Sequence, residues 1–217
     1  MTHLIRHIIQ SAFSEVGGRI RYEGFGNSNY HSRDIKEAFS ILQKAFLFSI
    51  IHPVTSTSLS LIPDTKKSPR LHSLDTGLIV FKTGVRKMLH ASPNIIAIFS
   101  GKIVEHLVGQ ELFAVGNSPL DTVHFWARDK SQSNAEVDFV IRIEDKLIPV
   151  EVKSGANVRL RSLHAFLDAS DNNIAMRLYS GSYSVETHQT IQGKSFQLVN
   201  VPVYHTSLVP KYLEKIL

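Results

Sequence analysis

The sequence predicts an α/β protein in two parts. Residues 84–217 are expected to form a mixed β-sheet flanked by helices, and residues 1–83 a smaller α+β segment. Two apolar strand patterns within residues 136–153, joined by a short polar turn, predict the sheet. The order of patterns around them is helix, three-stranded meander, helix and strand, which predicts the flanking helices. An amphipathic helix followed by two strand patterns predicts the smaller segment.

The N-terminal segment begins with two helical patterns. Residues 2–15 repeat apolar side chains at helical spacing, and Gly17 follows where such a helix is expected to end. Residues 33–46 carry a cleaner apolar stripe, for which Ser32 is the expected N-cap. The polar face of this second helix mixes acidic and basic side chains rather than forming a basic stripe.

A polar arm separates the two strand patterns of the N-terminal segment. The strands are predicted over residues 46–54 and 71–81, with the arm over 55–70. Helix, strand, long arm and strand follow one another in this order in a winged helix, whose arm can contact nucleic-acid phosphates. The basic residues suited to such contacts are Lys66, Lys67 and Arg70. The alternative is a charged surface loop, which the mixed charge of the preceding helix favours.

The larger domain begins with a long helical pattern over residues 95–114. In a helical projection, Glu111 falls inside the apolar stripe and Glu105 lies at its edge. A helix is also predicted over 157–170 and a short one at the C-terminus. Besides the central hairpin, strands are predicted over 122–129, 173–180 and 194–206.

The hairpin within residues 136–153 predicts a close pair of carboxylates. If its turn holds two residues, Glu144 and Asp145, cross-strand partners have a constant sum of residue numbers. Asp138 then lies opposite Glu151, and Glu136 lies opposite Lys153. Like charges directly opposite each other destabilise a sheet, so a divalent metal ion or a lysine is expected to compensate.

The spacing of these residues resembles that of a known superfamily. Asp138 followed by Glu151-Val-Lys153 on an adjacent strand is similar to the PD-(D/E)xK nucleases, and the resemblance implies a restriction-endonuclease-like core. The longer string from Ala135 to Gly155 resembles the uncharacterised, nuclease-like C-terminal domain of prokaryotic AAA-type ATPases. Residues 28–48 and 68–78 resemble the winged-helix segment that precedes this domain in the same ATPases.

The resemblance implies a catalytic site for Mg²⁺ or Mn²⁺. Asp138 and Glu151 would hold the metal ion, with the carbonyl of Val152 as a further oxygen ligand, and Lys153 would orient or activate a water molecule. The superfamily usually places another glutamate on its first helix. In this sequence Glu105 fits that position best, both as a catalytic residue and as a metal ligand, and Glu111 is the alternative.

Two arginines follow the hairpin in sequence. Arg159 and Arg161 could reach a substrate phosphate, or they could belong to an ordinary helix surface. Three functions therefore compete: a metal-dependent deoxyribonuclease, a catalytically inactive nuclease-fold module for regulation or interaction, and a DNA-binding module that works through the winged helix.

An ATPase module is not encoded in this sequence. The only Gly-Lys-Ser, at residues 193–195, lacks the preceding glycine of a phosphate-binding loop, and we interpret it as a turn. The chain thus resembles the C-terminal half of a longer family member, either as a piece of it, as the product of a split gene or as a free-standing descendant. An ATPase module, in the same chain or another, is an expected partner beside DNA.

Composition sets broad limits. The net charge of +5 permits binding to nucleic acid without requiring it, and the absence of cysteine excludes disulfides and thiolate metal sites. No apolar run approaches the ~20 residues that span a bilayer. The N-terminus lacks the continuous apolar segment of a signal peptide, so we expect a cytoplasmic protein without a membrane contact.

Overall fold

The structure, a computed structural model, describes residues 1–82, 84, 101–115, 123–129, 135–153 and 160–217. In chain order its helices and strands are α1 (Thr2–Glu15), α2 (Ser32–Lys44), β1 (Phe48–Ile51), β2 (Pro53–Val54), β3 (Arg70–Ser73), α3 (Thr76–Lys82), α4 (Gly101–Val115), β4 (His124–Ala127), β5 (Glu136–Ile143), β6 (Lys146–Lys153), α5 (Arg161–Asp168), β7 (Ile174–Tyr179), β8 (Ser184–Gln189), β9 (Ser195–Pro202), a 3-10 helix (Val203–Leu208) and α6 (Val209–Glu214).

The chain forms two compact units, and each is made of two stretches of sequence. Unit 1 comprises Met1–His52 and Thr65–Gln110, and unit 2 comprises Pro53–Asp64 and Glu111–Leu217. The sequence predicts one domain boundary, between residues 83 and 84, and the two units do not follow it. The difference has two parts: Pro53–Asp64 belong to unit 2, and unit 1 extends to Gln110.

Unit 1 is built from α1 and α2 against a two-stranded antiparallel sheet of β1 and β3. The apolar face predicted for α1 is buried, and that of α2 is buried as far as Leu42, which confirms the two helices. Helix α2 ends at Lys44 rather than at residue 46, and Phe46 is exposed. Phe39 of α2 lies at the centre of the core, with its ring edge-on to the rings of Phe25 and Phe48. These apolar contacts stabilise the unit because they remove large aromatic surfaces from water.

Two local predictions for unit 1 are wrong. Helix α2 begins at Ser32, whose hydroxyl donates to Glu23 instead of capping the helix. The strand expected to run to residue 81 ends at Ser73, and α3 follows it. The reason is Asp75, whose Oδ1 accepts the amides of Gly77 and Leu78 at 2.7 and 3.2 Å and so satisfies the first turn of a helix.

The polar arm is largely part of unit 2. Strand β2 pairs in parallel with β4, with Val54 opposite Trp126. The indole Nε1 of Trp126 donates to the carbonyl of Thr55 at 3.1 Å, and the hydroxyl of Thr57 donates to the carbonyl of Ala169 at 2.7 Å. These contacts hold residues 53–57, so the beginning of the arm is not a free loop.

Seven of the described strands form one mixed sheet in the order β2-β4-β5-β6-β7-β9-β8. The pairs β4–β5, β5–β6 and β8–β9 are antiparallel, whereas β2–β4, β6–β7 and β7–β9 are parallel. The mixed sheet and the predicted order of helix, meander, helix and strand are confirmed. Edge strand β8 was not predicted, because five of its six side chains are polar and the strand is largely exposed.

Helix α5 covers part of one sheet face. Its side chains Leu163, Phe166 and Leu167 pack in one core cluster with Leu147 of β6 and Ala175 of β7. This helix was predicted over 157–170, and residues 157–159 lie outside the described residues, as does the start of the helix predicted over 95–114. No described helix is long and apolar enough to cross a membrane.

Candidate active site

The hairpin of β5 and β6 has the predicted register. Ile143 pairs with Lys146 across a two-residue turn, and the pairing continues to Phe139 opposite Val150. Glu144, the first turn residue, has φ 52, the left-handed backbone that a tight hairpin turn requires. The two-residue turn and its constant residue sum are therefore confirmed.

The ladder between the two strands ends before it reaches the carboxylates. Beyond Phe139 and Val150 the pairing stops, and Oδ2 of Asp138 accepts the backbone amide of Val152 at 2.9 Å. The expectation that Asp138 and Glu151 are ladder partners is thus wrong, as is the same expectation for Glu136 and Lys153. Direct pairing would have placed two negative charges face to face, whereas the amide of Val152 supplies a favourable partner for one of them.

Glu151 is a buried charge with a cationic partner. Only 5% of the residue is exposed, and its Oε1 accepts from the ammonium of Lys153. The two side chains lie on the same face of β6, because residues two apart in a strand point the same way. A buried carboxylate is strongly destabilising unless it is paired, so Lys153 is part of the reason why Glu151 can be charged at this position.

The carbonyl of Val152 is expected to face the same side of β6 as its amide. In a strand, the N–H and C=O groups of one residue are directed toward the same neighbouring strand. Since the amide of Val152 donates to the Asp138 carboxylate, its carbonyl oxygen is directed to the same side. The structure therefore brings together the four predicted residues Asp138, Glu151, Val152 and Lys153.

These donors fit a hydrated Mg²⁺ or Mn²⁺ ion. The candidate oxygen ligands are two carboxylates and one carbonyl, which are the hard donors that Mg²⁺ prefers, and Mg²⁺ is commonly held by one or two carboxylates while it keeps several waters. Among the described residues, no group of three or more histidine, aspartate or glutamate side chains could hold a metal ion. The donor set does not match a closed tetrahedral zinc site, which takes four protein ligands.

Glu105 lies in unit 1, where its Oε1 accepts from Arg70 at 2.8 Å in a half-buried ion pair. Its role as a further carboxylate of the site stays a prediction. Glu111 is exposed, as is Leu107, so the buried stripe predicted for this helix is wrong at these positions. The helix is turned so that His106 faces β3, where its Nε2 accepts the amide of Ser73 at 2.8 Å.

The residues predicted to contact nucleic acid are found in different settings. Lys66 is exposed and Lys67 half-buried in a turn, while Arg70 is engaged with Glu105. Arg161 is exposed at the first turn of α5, and Arg159 lies outside the described residues. Contacts of these five residues with nucleic acid stay predictions.

Sequence reasoning missed two polar residues of the central strands. Arg177 of β7 pairs in register with Glu151, and Asn200 of β9 pairs with Arg177. Arg177 lies in an otherwise apolar strand, and Asn200 lies in the apolar second half of β9, where it is fully buried. A charged or amide side chain inside such an apolar run is a signal that could have identified them, because these residue types are rarely buried without a specific partner.

Two family models match this chain, one in its N-terminal part and one in its C-terminal part. Residues 2–89 match the family described as Domain of unknown function (DUF8612). No curated protein matches the chain. Residues 100–204 match the family described as Domain of unknown function (DUF4143), a domain that is commonly found at the C-terminus of AAA-type ATPases, and this agrees with the resemblance drawn from the hairpin.

Proposed function

We propose that unit 2 is a nuclease-like module that hydrolyses phosphodiester bonds of DNA with the help of Mg²⁺ or Mn²⁺. The observation that carries the proposal is the convergence of Asp138, buried Glu151 and Lys153 where β5 and β6 separate. The site lies at the carboxyl end of β6, the end at which open α/β sheets with parallel strands usually bind ligands. A restriction-endonuclease-like fold is part of this proposal.

Each residue has a distinct chemical task in the proposed reaction. Asp138 and Glu151 would hold the metal ion, with the carbonyl of Val152 as a further ligand. The bound ion would lower the pKa of a water molecule and offset charge on the phosphate. Lys153, held by Glu151, would keep its ammonium beside the reacting group, where it orients the water or stabilises the negative charge that develops on phosphate oxygens.

An AAA-type ATPase module is the partner we propose for this chain. The support is the similarity of residues 100–204 to a domain commonly found at the C-terminus of such ATPases. In this arrangement the ATPase module would supply the energy of nucleotide hydrolysis and unit 2 the phosphodiester chemistry. The substrate of the whole assembly is proposed to be DNA.

A catalytically inactive module is the second candidate. The observation that favours it is the ion pair between Glu151 and Lys153, because such a pair satisfies both charges without a metal ion. In that case the carboxylates would stabilise the sheet, and the module would act through its surface. The two candidates differ in whether Asp138 contributes to metal affinity.

A metal titration separates the two candidates. We expect Mn²⁺ to bind the wild-type protein in isothermal titration calorimetry and Asp138→Asn to weaken binding at least roughly tenfold, since one ligand loses its charge. The asparagine Oδ1 can still accept the amide of Val152, so the strand geometry should persist. Asp145→Asn, at the exposed turn of the same hairpin, is the matched control. Equal Mn²⁺ affinity in all three proteins would favour the inactive module.

A further inference from the structure

A row of polar side chains continues across the sheet from the proposed metal site. Glu151 pairs with Arg177, Arg177 with Asn200, and Asn200 with Ser184. Partners in register on adjacent strands project to the same face and stand about 4.8 Å apart. The row therefore extends over four strands on the face that carries the two carboxylates.

The row lies next to an apolar region on the same face. Leu147 and Ala175, which pack against α5, share this face with Glu151 and Arg177 because each lies an even number of residues from them. Helix α5 thus covers the beginning of β6 and β7, and the polar row lies toward their carboxyl ends. This sheet face therefore combines apolar side chains with a few polar ones, which is the usual composition of a ligand site.

Arg177 is held in one orientation by its own strand. Its guanidinium carbon lies 4.4 Å from the centre of the Tyr179 ring. The ring is itself fixed, because its hydroxyl donates to the carbonyl of Ser182 at 2.7 Å and because Gly181 leaves room for it. A Cβ atom at position 181 would come within 2.3 Å of the ring. A guanidinium stacked on a fixed aromatic ring loses little conformational freedom when it binds an anion.

One hydrogen-bond donor of Arg177, its Nε, has no partner in the described part of the protein. This nitrogen is buried. The carboxylate of Glu186 interacts electrostatically with Arg177, and its hydrogen bonds are with Ser184 and Asn200, at 2.8 and 2.7 Å, and with His188 at 2.9 Å. A buried donor without a protein partner in a native fold calls for an explanation, and a bound anion is one that its charge favours.

We propose that Arg177 binds a non-bridging oxygen of the phosphodiester substrate. Its register with Glu151 and its stacking on Tyr179, the strand partner of Lys153, put Arg177 on the strand next to β6, at the level of the residues proposed to carry the chemistry. The fork of an arginine side chain matches the geometry of a phosphate group. This inference rests on the proposed function, since the phosphate in question is the one held at the metal site.

Binding of a small phosphodiester without metal tests the inference separately from catalysis. The probe is the dinucleotide pTpT, titrated in EDTA and followed by ³¹P NMR. We expect Arg177→Gln to weaken pTpT binding at least roughly tenfold, which corresponds to the loss of one charge-assisted contact. Arg177→Lys should retain part of the affinity, because it keeps the charge without the fork. Arg142→Gln, an exposed position on β5, should bind as the wild type does.

The outcomes distinguish this inference from the function on which it rests. Equal pTpT affinity for wild type and Arg177→Gln, or no binding of pTpT to wild type, would overturn the phosphate contact, whatever the metal titration gives. An unchanged Mn²⁺ affinity in Asp138→Asn together with a weakened pTpT affinity in Arg177→Gln would support the phosphate contact and overturn metal-dependent hydrolysis. If Arg177→Gln does not fold, as judged by circular dichroism, the comparison is made with Arg177→Lys, and wild-type affinity in that variant would overturn the contact.

Discussion

Replacing Lys153 by methionine is expected to reduce the rate of Mg²⁺-dependent DNA cleavage by about 100-fold or more, the range seen when one group that stabilises transition-state charge is removed. Mn²⁺ affinity should not fall, because Lys153 is not a proposed ligand and its removal takes away a positive charge. The measurement is cleavage of plasmid DNA at saturating metal, beside a Mn²⁺ titration of the same protein. A rate that falls while metal affinity is kept assigns Lys153 to the chemical step.

Lys146→Met provides the matched control for this experiment. Lys146 begins the same strand that Lys153 ends, and it is also half-buried. Lys153→Arg is a second variant, because an arginine keeps a cation beside buried Glu151 if methionine leaves that carboxylate too costly to bury. A cleavage rate that is unchanged in Lys153→Met would contradict the role given to this residue.

The second large effect expected is a loss of stability of unit 1 in mild acid. His72 and His106 are buried with ring centres 3.9 Å apart, and Nε2 of His106 accepts the amide of Ser73. Burial lowers the pKa of His106 to about 4, and burial together with the charge of His106 holds the pKa of His72 well below 6.5. Both are therefore neutral when folded at neutral pH, and protonated His106 could not accept the amide.

The direction of the pH effect follows from these pKa values. Between pH 6.5 and about 4 the unfolded chain takes up protons that folded unit 1 does not, so stability is fully present above pH 6.5 and is lost as the pH falls. For His106 alone the loss by about pH 4.5 is about 2 kcal/mol. This loss is measured as the difference in unfolding free energy above pH 6.5 and at about pH 4.5, from urea unfolding followed by far-ultraviolet circular dichroism.

His106→Gln should reduce this acid sensitivity. The glutamine carbonyl can still accept the amide of Ser73 but does not titrate, so the difference in unfolding free energy between the two pH values should shrink by about 2 kcal/mol. His3→Gln, at an exposed position of α1, should retain the wild-type difference. If both variants lose the same stability as wild type on acidification, the buried histidine pair is not the cause.

Local patterns predicted the hairpin well because its determinants are local. Alternation of apolar side chains set the two faces, and a two-residue turn set the register from Ile143–Lys146 outward. The separation of the strands at Asp138 could not be predicted in this way. It depends on the Asp138 carboxylate, which accepts the amide of Val152 in place of a backbone carbonyl. A prediction from the alternation of side chains assumes that the backbone pairing continues.

Other differences have tertiary causes. Pro53 and Val54 look like the end of one continuous strand and residues 55–57 like part of a polar loop, yet all of them join unit 2 because β4 offers a strand edge and the Trp126 indole offers a donor. The stripe predicted for α4 includes Glu111 and not His106, whereas His106 is buried and accepts the amide of Ser73. In each case a polar group gained a specific partner that the sequence does not reveal.

The most direct test of the proposed active site is cleavage of supercoiled plasmid DNA by wild type and by Asp138→Ala, each in Mg²⁺ and in EDTA. We predict nicked or linear DNA only with wild type in Mg²⁺, since Asp138 is the proposed metal ligand on which the reaction would depend. Equal Mg²⁺-dependent cleavage by wild type and Asp138→Ala would contradict the assignment, because the activity would then come from elsewhere. Intact DNA in every reaction would contradict hydrolysis itself and leave unit 2 as an inactive module.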